Sequence, residues 1–417
     1  MDYSLIFILL ACGIGLWMTW GIGANDLANI LSPAIGSRAL SVKHAVMIAV
    51  VFEIAGAFFG GAEVTQTIRS GIIDVNMLSS TPQLFIYGML SVLLAGAVWI
   101  TAASYMGMPV SITNSIVGAL VGVGAIMLGI HAVHWQTVGY IAISWISSPT
   151  IAGVMAYLLF ISIKRSILGA DQPLLAAKKY IPIYLFAVGI ILALMILIKG
   201  LNHFGIKLST WETLGAILGT AILVLFAGLS AMKRILSRGS KVNRHLQFVY
   251  IEGMFSVLMA FTACAMVFAH GSNDVSIAVG PIVGIIGQLE SAQFSQSNLI
   301  LNIITLFGCI GVLLGLFMYG RKVIETVGSA ITTLTPSRAF AATLAASSTV
   351  VISTSTGIPV SATQTLVGAV FGVGLARGID ALNLNVIRNI FMSWIVTIPV
   401  AAGLATLFFY ILRIIFG

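Results

Sequence analysis

The chain has 417 residues, of which 20 are Lys or Arg and 12 are Asp or Glu, for a net charge of +8. Hydrophobic residues make up 59 % and the mean hydropathy is +1.09. A soluble domain carries about 25 % charged residues because its surface meets water. At 8 % charged, this chain has too few to cover a water-facing surface. That excludes a soluble enzyme, a nucleic-acid binder and a disordered chain, and it turns the surface to lipid. The 43 glycines suit close helix packing within a bilayer.

The N-terminal stretch MDYSLIFILLACGIGLWMTW has neither a positive leading region nor a small-residue cleavage site, so it reads as a retained span. Crossing about 30 Å of hydrocarbon takes about 20 apolar residues. Such runs lie near 4–24, 41–61, 84–106, 108–130, 137–162, 181–199, 212–232, 248–269, 299–319, 338–356, 357–376 and 388–413. Two shorter stretches, 25–37 and 271–288, open with polar residues and contain Pro and Gly, so they are expected to be re-entrant. The basic clusters Lys164, Arg165, Lys178, Lys179 and Lys233, Arg234, Arg238, Lys241, Arg244 mark cytoplasmic loops. On that count Arg321, Lys322, Arg338, Arg377 and Arg388 also lie inside. Arg69, Lys199, Lys207 and Arg413 fall outside, as do both termini. Cys12, Cys264 and Cys309 sit in apolar runs without metal-ligand spacing and read as packing residues.

An internal repeat organises the chain. Residues 109–125 read PVSITNSIVGALVGVGA and residues 359–375 read PVSATQTLVGAVFGVGL, with ten of seventeen positions identical. GANDLANILSPAIG at 23–36 is echoed by GSNDVSIAVGPIVG at 271–284, and Ser144-Trp145 with Pro149 by Ser393-Trp394 with Pro399. Seven spans separate the starts of the two halves, and an odd number turns the second half upside down. The expected architecture is therefore an all-α polytopic membrane protein. It has about 12 transmembrane helices in two inverted repeats with broken or re-entrant helices. Residues 1–162 form the first repeat, 163–247 a linker with two helices and a basic loop, and 248–417 the second repeat. Inverted repeats with interrupted helices are the build of secondary transporters, whose site lies between the halves at mid-membrane.

Polar residues inside the apolar runs point to that site. Asn25 and Asp26 follow a glycine-rich span end, and Asn273 and Asp274 are their counterparts after His270 and Gly271. A carboxylate near the bilayer centre costs about 2.5–3.5 kcal/mol, so two at matching places call for a cation or for donors. Carboxylate and carbonyl oxygens suit a hard cation such as Na⁺; N-capping is the structural alternative. Ser111, Thr113 and Asn114 match Ser361, Thr363 and Gln364, each set following a Gly-x-Pro-Val turn. Their hydroxyls and amides at a helix start can donate to a tetrahedral oxyanion, or simply cap and cross-link helices. Glu53, inside AVVFEIAGAFFGG, is a functional candidate by its depth. His270 is either a proton carrier or a hydrogen-bonded packing residue. Glu252 is capping or on the pathway, Arg69 an interfacial anchor. Trp135 belongs to an aromatic belt, with metal binding by His131 and His134 the minority reading. No GxxxxGK[ST], HExxH or GxSxG motif is present.

The segments GANDLAN with GSRALS, TIRSGIID, HGSNDVSIAVGP, LTPSRAFAA and GIPVSATQTLVGAVFGVGLARG resemble the inorganic phosphate transporter family over nearly the whole chain. The resemblance implies a symporter of inorganic phosphate with Na⁺ or H⁺, an inverted-repeat core and a homodimer in a bacterial plasma membrane, with no prosthetic group. It further implies that Asn25, Asp26, Asn273 and Asp274 bind the coupling ion. Ser111, Thr113, Asn114, Ser361, Thr363 and Gln364 would bind phosphate. Glu53 stands where the family also carries Glu. The chain departs from the family at SITN and SATQ, where Ser-Thr-Thr-His is usual, and at NDVSIAVGP, where NDVANAIGP is usual. Loss of a His at both 114 and 364 favours Na⁺ over H⁺ coupling. Proton-coupled phosphate or sulfate transport and an anion channel are the alternatives.

Overall fold

The structure is a computed structural model that describes residues 3–74, 77, 81–197, 208–239, 244–289, 298–330 and 332–417. The end of the predicted span 181–199, with Lys199, Lys207 and Lys241, lies outside those residues. So do the side chains of Arg234, Arg238, Arg244, Arg321 and Lys322. The described chain is helical, and nine of its helical runs are long and apolar enough to cross a membrane. The polytopic all-α class expected from composition is what the chain adopts.

Two of these runs, Ser4–Gly36 with 33 residues and Gln247–Leu289 with 43, each take in one of the segments 25–37 and 271–288. The segments expected to be separate re-entrant pieces continue the preceding helices instead. The join in each is a π-helical turn, Gly23–Leu27 and Gly271–Val275, flanked on both sides by right-handed helical dihedrals. Such a turn widens the ladder by one residue without unwinding it and is frequent at functional sites. Pro33 then fits inside the helix because Ser32 Oγ donates to the Asn29 carbonyl at 2.7 Å, the acceptor that proline leaves without its usual partner.

The Pro-Val-Ser segments form the tips of two helical hairpins. The predicted spans 84–106 and 108–130 form an antiparallel hairpin of Pro82–Tyr105 and Ile112–Leu128, in which Gly88 packs on Met127 and Gly96 on Ile116. The predicted spans 338–356 and 357–376 form a second, of Pro336–Thr354 and Ala362–Arg377. Each turns at a glycine in the left-handed region, Gly107 at φ 66° and Gly357 at φ 73°. Each then carries a buried Val-Ser pair, Val110-Ser111 and Val360-Ser361. Ile112–Leu128 and Ala362–Arg377, at 17 and 16 residues, are short for a crossing, and Pro336–Thr354 is rich in buried Ser and Thr. These three helices are the predicted spans that fall outside the nine, Ile112–Leu128 and Ala362–Arg377 by length and Pro336–Thr354 by its Ser and Thr content.

Helices Val42–Gly60 and Asn298–Ala330 close around the π turns. Gly23 lies against the Val312 backbone, and Gly271 against the backbone of Glu53. Thr210–Gly239 lies at the periphery, with Trp211 82 % and Leu223 71 % exposed, as lipid-facing residues are.

Candidate functional site

Each π turn pins a hairpin tip. Asn25 Nδ2 donates to the Met108 carbonyl at 3.0 Å and to Ser104 Oγ at 3.2 Å, while Val110 N–H donates to Asn25 Oδ1 at 3.3 Å. In the other half Asn273 Nδ2 donates to the Val360 carbonyl at 2.6 Å, and Val360 N–H donates to Asn273 Oδ1 at 3.3 Å. The two asparagine side chains thus supply donor and acceptor to backbone groups that proline and the turn leave without helical partners. Asn273→Ala strands the Val360 N–H in the interior, which costs about 1–3 kcal/mol. The expected result is a lower unfolding temperature of the purified protein, with Asn273→Asp, which keeps the acceptor, intermediate.

The tips cap themselves as well. Ser111 Oγ accepts from Asn114 N–H at 3.2 Å and donates to Asn114 Oδ1 at 2.9 Å, and Ser361 Oγ accepts from Gln364 N–H at 3.1 Å. The capping expected as an alternative is therefore present. It leaves the first turn of each second helix aimed at the same interior region, since Thr113 Oγ1 donates across to the Val360 carbonyl at 3.0 Å. Thr363 Oγ1 donates to Asp26 Oδ1 at 2.9 Å, joining residues 337 positions apart. Asn114 and Gln364 share the wall of one cavity of about 760 Å³ with Trp145 and Trp394. All six hydroxyl and amide residues, both Asn-Asp pairs, Glu53 and His270 are buried.

Carboxylates outnumber their cationic partners in this region. His270 Nδ1 stands 2.8 Å from Glu53 Oε1, and its Nε2 stands 3.2 Å from Asp274 Oδ2, a charge contact without hydrogen-bond alignment. One imidazole thus serves two carboxylates, and no Lys or Arg pairs with Asp26 or Asp274 among the described residues. Sequence reasoning treated Glu53 and His270 singly; the packing of Gly56 on Phe268 and of Gly271 on Glu53 brings them together. It missed Asn29 altogether. That side chain is fully buried with neither amide atom partnered, one turn past Asp26, in the place held by Ile277 in the second half. No group of three or more His, Cys, Asp or Glu with metal-site spacing exists among the described residues. His134 Nδ1 lies 3.1 Å from the Gly71 carbonyl.

A multi-pass helical bundle with two interior hairpin tips, interrupted helices and buried carboxylates has the build of a membrane transporter, and it offers no catalytic constellation among the described residues. The family model described as the phosphate transporter family matches residues 22–405, and the chain belongs to that family: it is a multi-pass membrane transporter of phosphate, not an enzyme. It is 43 % identical over its whole length to a Haemophilus influenzae protein named "Putative phosphate permease", covering 99 % of it. It is 37 % identical to the Arabidopsis thaliana inorganic phosphate transporter 2-1, chloroplastic, matching over 95 % of this chain and 70 % of that one. A solved structure titled the sodium-dependent phosphate transporter superposes with a TM-score of 0.86 at 33 % identity, covering 98 % of this chain and all of that one.

Proposed function

We propose that the protein imports inorganic phosphate by symport with Na⁺. The observation that carries this reading is the charge deficit at the π turns. With Asp26, Asp274 and Glu53 ionised, His270 offsets at most one negative charge, and no other protein cation pairs with them among the described residues. Buried charge is tolerated only when paired. A dehydrated Na⁺ beside Asp26 and Asp274, with Asn25 and Asn273 at its flank, would supply the pairing. It would also admit an anion next to it. Phosphate then lies between the hairpin tips, on Ser111, Thr113 and Asn114 from one side and Ser361, Thr363 and Gln364 from the other. Hydroxyls, amides and two helix N-termini make up that donor set. Thr363, which touches Asp26, links the two ligands, so each binds better with the other present. The halves 1–162 and 248–417 are inverted repeats around this site, joined by 163–247, and one rocks against the other in alternating access. The setting is a bacterial plasma membrane, with the chain as a homodimer.

A proton can satisfy a buried carboxylate as well as Na⁺ can, and the His270 contacts favour that second reading. The test is uptake of labelled phosphate into proteoliposomes under an imposed Na⁺ gradient or an imposed pH gradient, with sulfate as competitor. Na⁺ symport is expected to give accumulation above equilibrium with Na⁺ alone and no inhibition by sulfate. Accumulation driven only by the pH gradient would replace it with H⁺ coupling. Flux that never exceeds the electrochemical gradient would make the protein a channel.

A further inference from the structure

The second hairpin carries a feature that the first lacks. Arg377, at the end of Ala362–Arg377, donates through Nη1 to Thr332 Oγ1 at 2.6 Å and to the Thr333 carbonyl at 3.1 Å. Arg338, at the start of Pro336–Thr354, donates through Nη1 to the same Thr333 carbonyl at 3.0 Å. Two guanidinium groups that reach one oxygen lie within about 6 Å of each other, a distance at which like charges repel. The nearby carboxylate does not resolve this. Glu252 accepts from Ser337 N–H at 2.8 Å and from Ser337 Oγ at 2.9 Å. No Asp or Glu among the described residues comes within ion-pair distance of either arginine. Among the described residues the cluster is positive even with Glu252 counted, and each guanidinium retains N–H donors beyond the Nη1 already used. Both side chains are half-buried rather than free in solvent.

In the first half the same places hold Leu84, two residues after Pro82 as Arg338 is after Pro336, and Met127, 250 residues before Arg377. Both pack on the hydrophobic core, Met127 against Gly88. The cationic pair therefore has no counterpart in the other hairpin. It sits beside the start of the helix that follows the basic 233–247 segment, because Glu252 on that helix binds Ser337.

We propose that Arg338 and Arg377 form a phosphate-oxyanion site at this face, separate from the buried site between the hairpin tips. Two forked guanidiniums are the donor geometry that a tetrahedral oxyanion accepts in bidentate fashion. The ligand is either free inorganic phosphate or the phosphate of a lipid headgroup. Its occurrence on one face only rests on the inverted-repeat reading above; the binding itself does not.

Phenylglyoxal labelling of the intact protein in neutral phosphatidylcholine nanodiscs, mapped by mass spectrometry, tests it at constant ionic strength. Millimolar phosphate is expected to slow modification of both Arg338 and Arg377 at least fivefold while leaving the exposed Arg413 unchanged. Protection only when phosphatidic acid is added to the disc assigns the same site to lipid headgroups. The comparison is repeated in Asp26→Asn, where the buried site is disabled, and protection is expected to persist there. Protection lost in Asp26→Asn, shared by Arg413, or absent with both phosphate and phosphatidic acid overturns the proposal. None of these readouts requires transport, so a failure of the symport reading leaves the test intact.

Discussion

Asp26→Asn is expected to abolish Na⁺-stimulated phosphate uptake in proteoliposomes, lowering it at least tenfold, while the protein still folds and inserts. The substitution keeps the shape of the side chain and its Oδ1, so Thr363 Oγ1 still has its acceptor 2.9 Å away. Only the charge is removed. A loss of tenfold corresponds to about 1.4 kcal/mol, and coupling between two ligands ranges over about 1–3 kcal/mol, so a tenfold effect is the smallest that would signify. Insertion should not suffer, because a neutral amide at mid-membrane avoids the cost of about 2.5–3.5 kcal/mol that a carboxylate carries. Uptake that survives with its Na⁺ dependence unchanged would remove Asp26 from the ion site. Asp274→Asn is the less clean variant. It also removes the charge facing His270 Nε2 and leaves Glu53 as that imidazole's remaining anionic contact.

The two halves share a plan and differ in chemistry. Both Asn side chains pin a tip, and both Ser side chains cap one. Beyond that the equivalence ends. The second half places His270 before its π turn where the first has Ile22, and Ile277 after it where the first has Asn29. Asp274 thus faces a protein imidazole, while Asp26 faces a hydroxyl from the opposite hairpin and has an unpartnered amide one turn away. If a cation enters only one of the two turns, this asymmetry favours the turn at Asp26.

How much of this was legible in the sequence depends on the kind of contact. The repeat, the Asn-Asp pairs and the Pro-Val-Ser segments were legible because identical residues recur 248 to 250 positions apart. Their joint burial follows from the same fact: polar residues repeated inside apolar runs must meet one another. What pairs with what was not legible. Counting apolar runs measures length and hydropathy, and Ile112–Leu128 is as apolar as a span, so the count does not show that it folds back on Pro82–Tyr105 as one arm of a hairpin. A π turn leaves no trace in composition either, so Gly23–Leu27 and Gly271–Val275 read as breaks rather than as widened helix. Glu252 had two open readings, and its bonds to Ser337 make it a cap of the second hairpin. Arg338 and Arg377 counted only as topology charges, because their meeting at Thr333 is a tertiary event.

The second large effect lies in the close approach of helices at the π turns. A Cβ added to Gly23 would overlap the Val312 carbonyl oxygen, and one added to Gly271 would overlap the carbonyl oxygen of Glu53. Neither obstacle is the end of a flexible side chain, so a whole helix must shift. Overpacking costs about 1–3 kcal/mol even where side chains can yield. Gly23→Ala is therefore expected to cost about 3 kcal/mol or more, a large share of the 5–15 kcal/mol that holds a typical domain together. Gly13→Ala, in the same first helix with nothing within 4 Å of the new methyl, is the control. There the better helix propensity of Ala is expected to add up to about 1 kcal/mol. Thermal unfolding of the purified variants should rank them Gly13→Ala, native, Gly23→Ala, and the last should give the lowest yield of inserted protein. Equal stability of the two variants would mean that Asn298–Ala330 stands further from the π turn than the structure places it. The pairing of Asp26 with its neighbours would then have to be rebuilt.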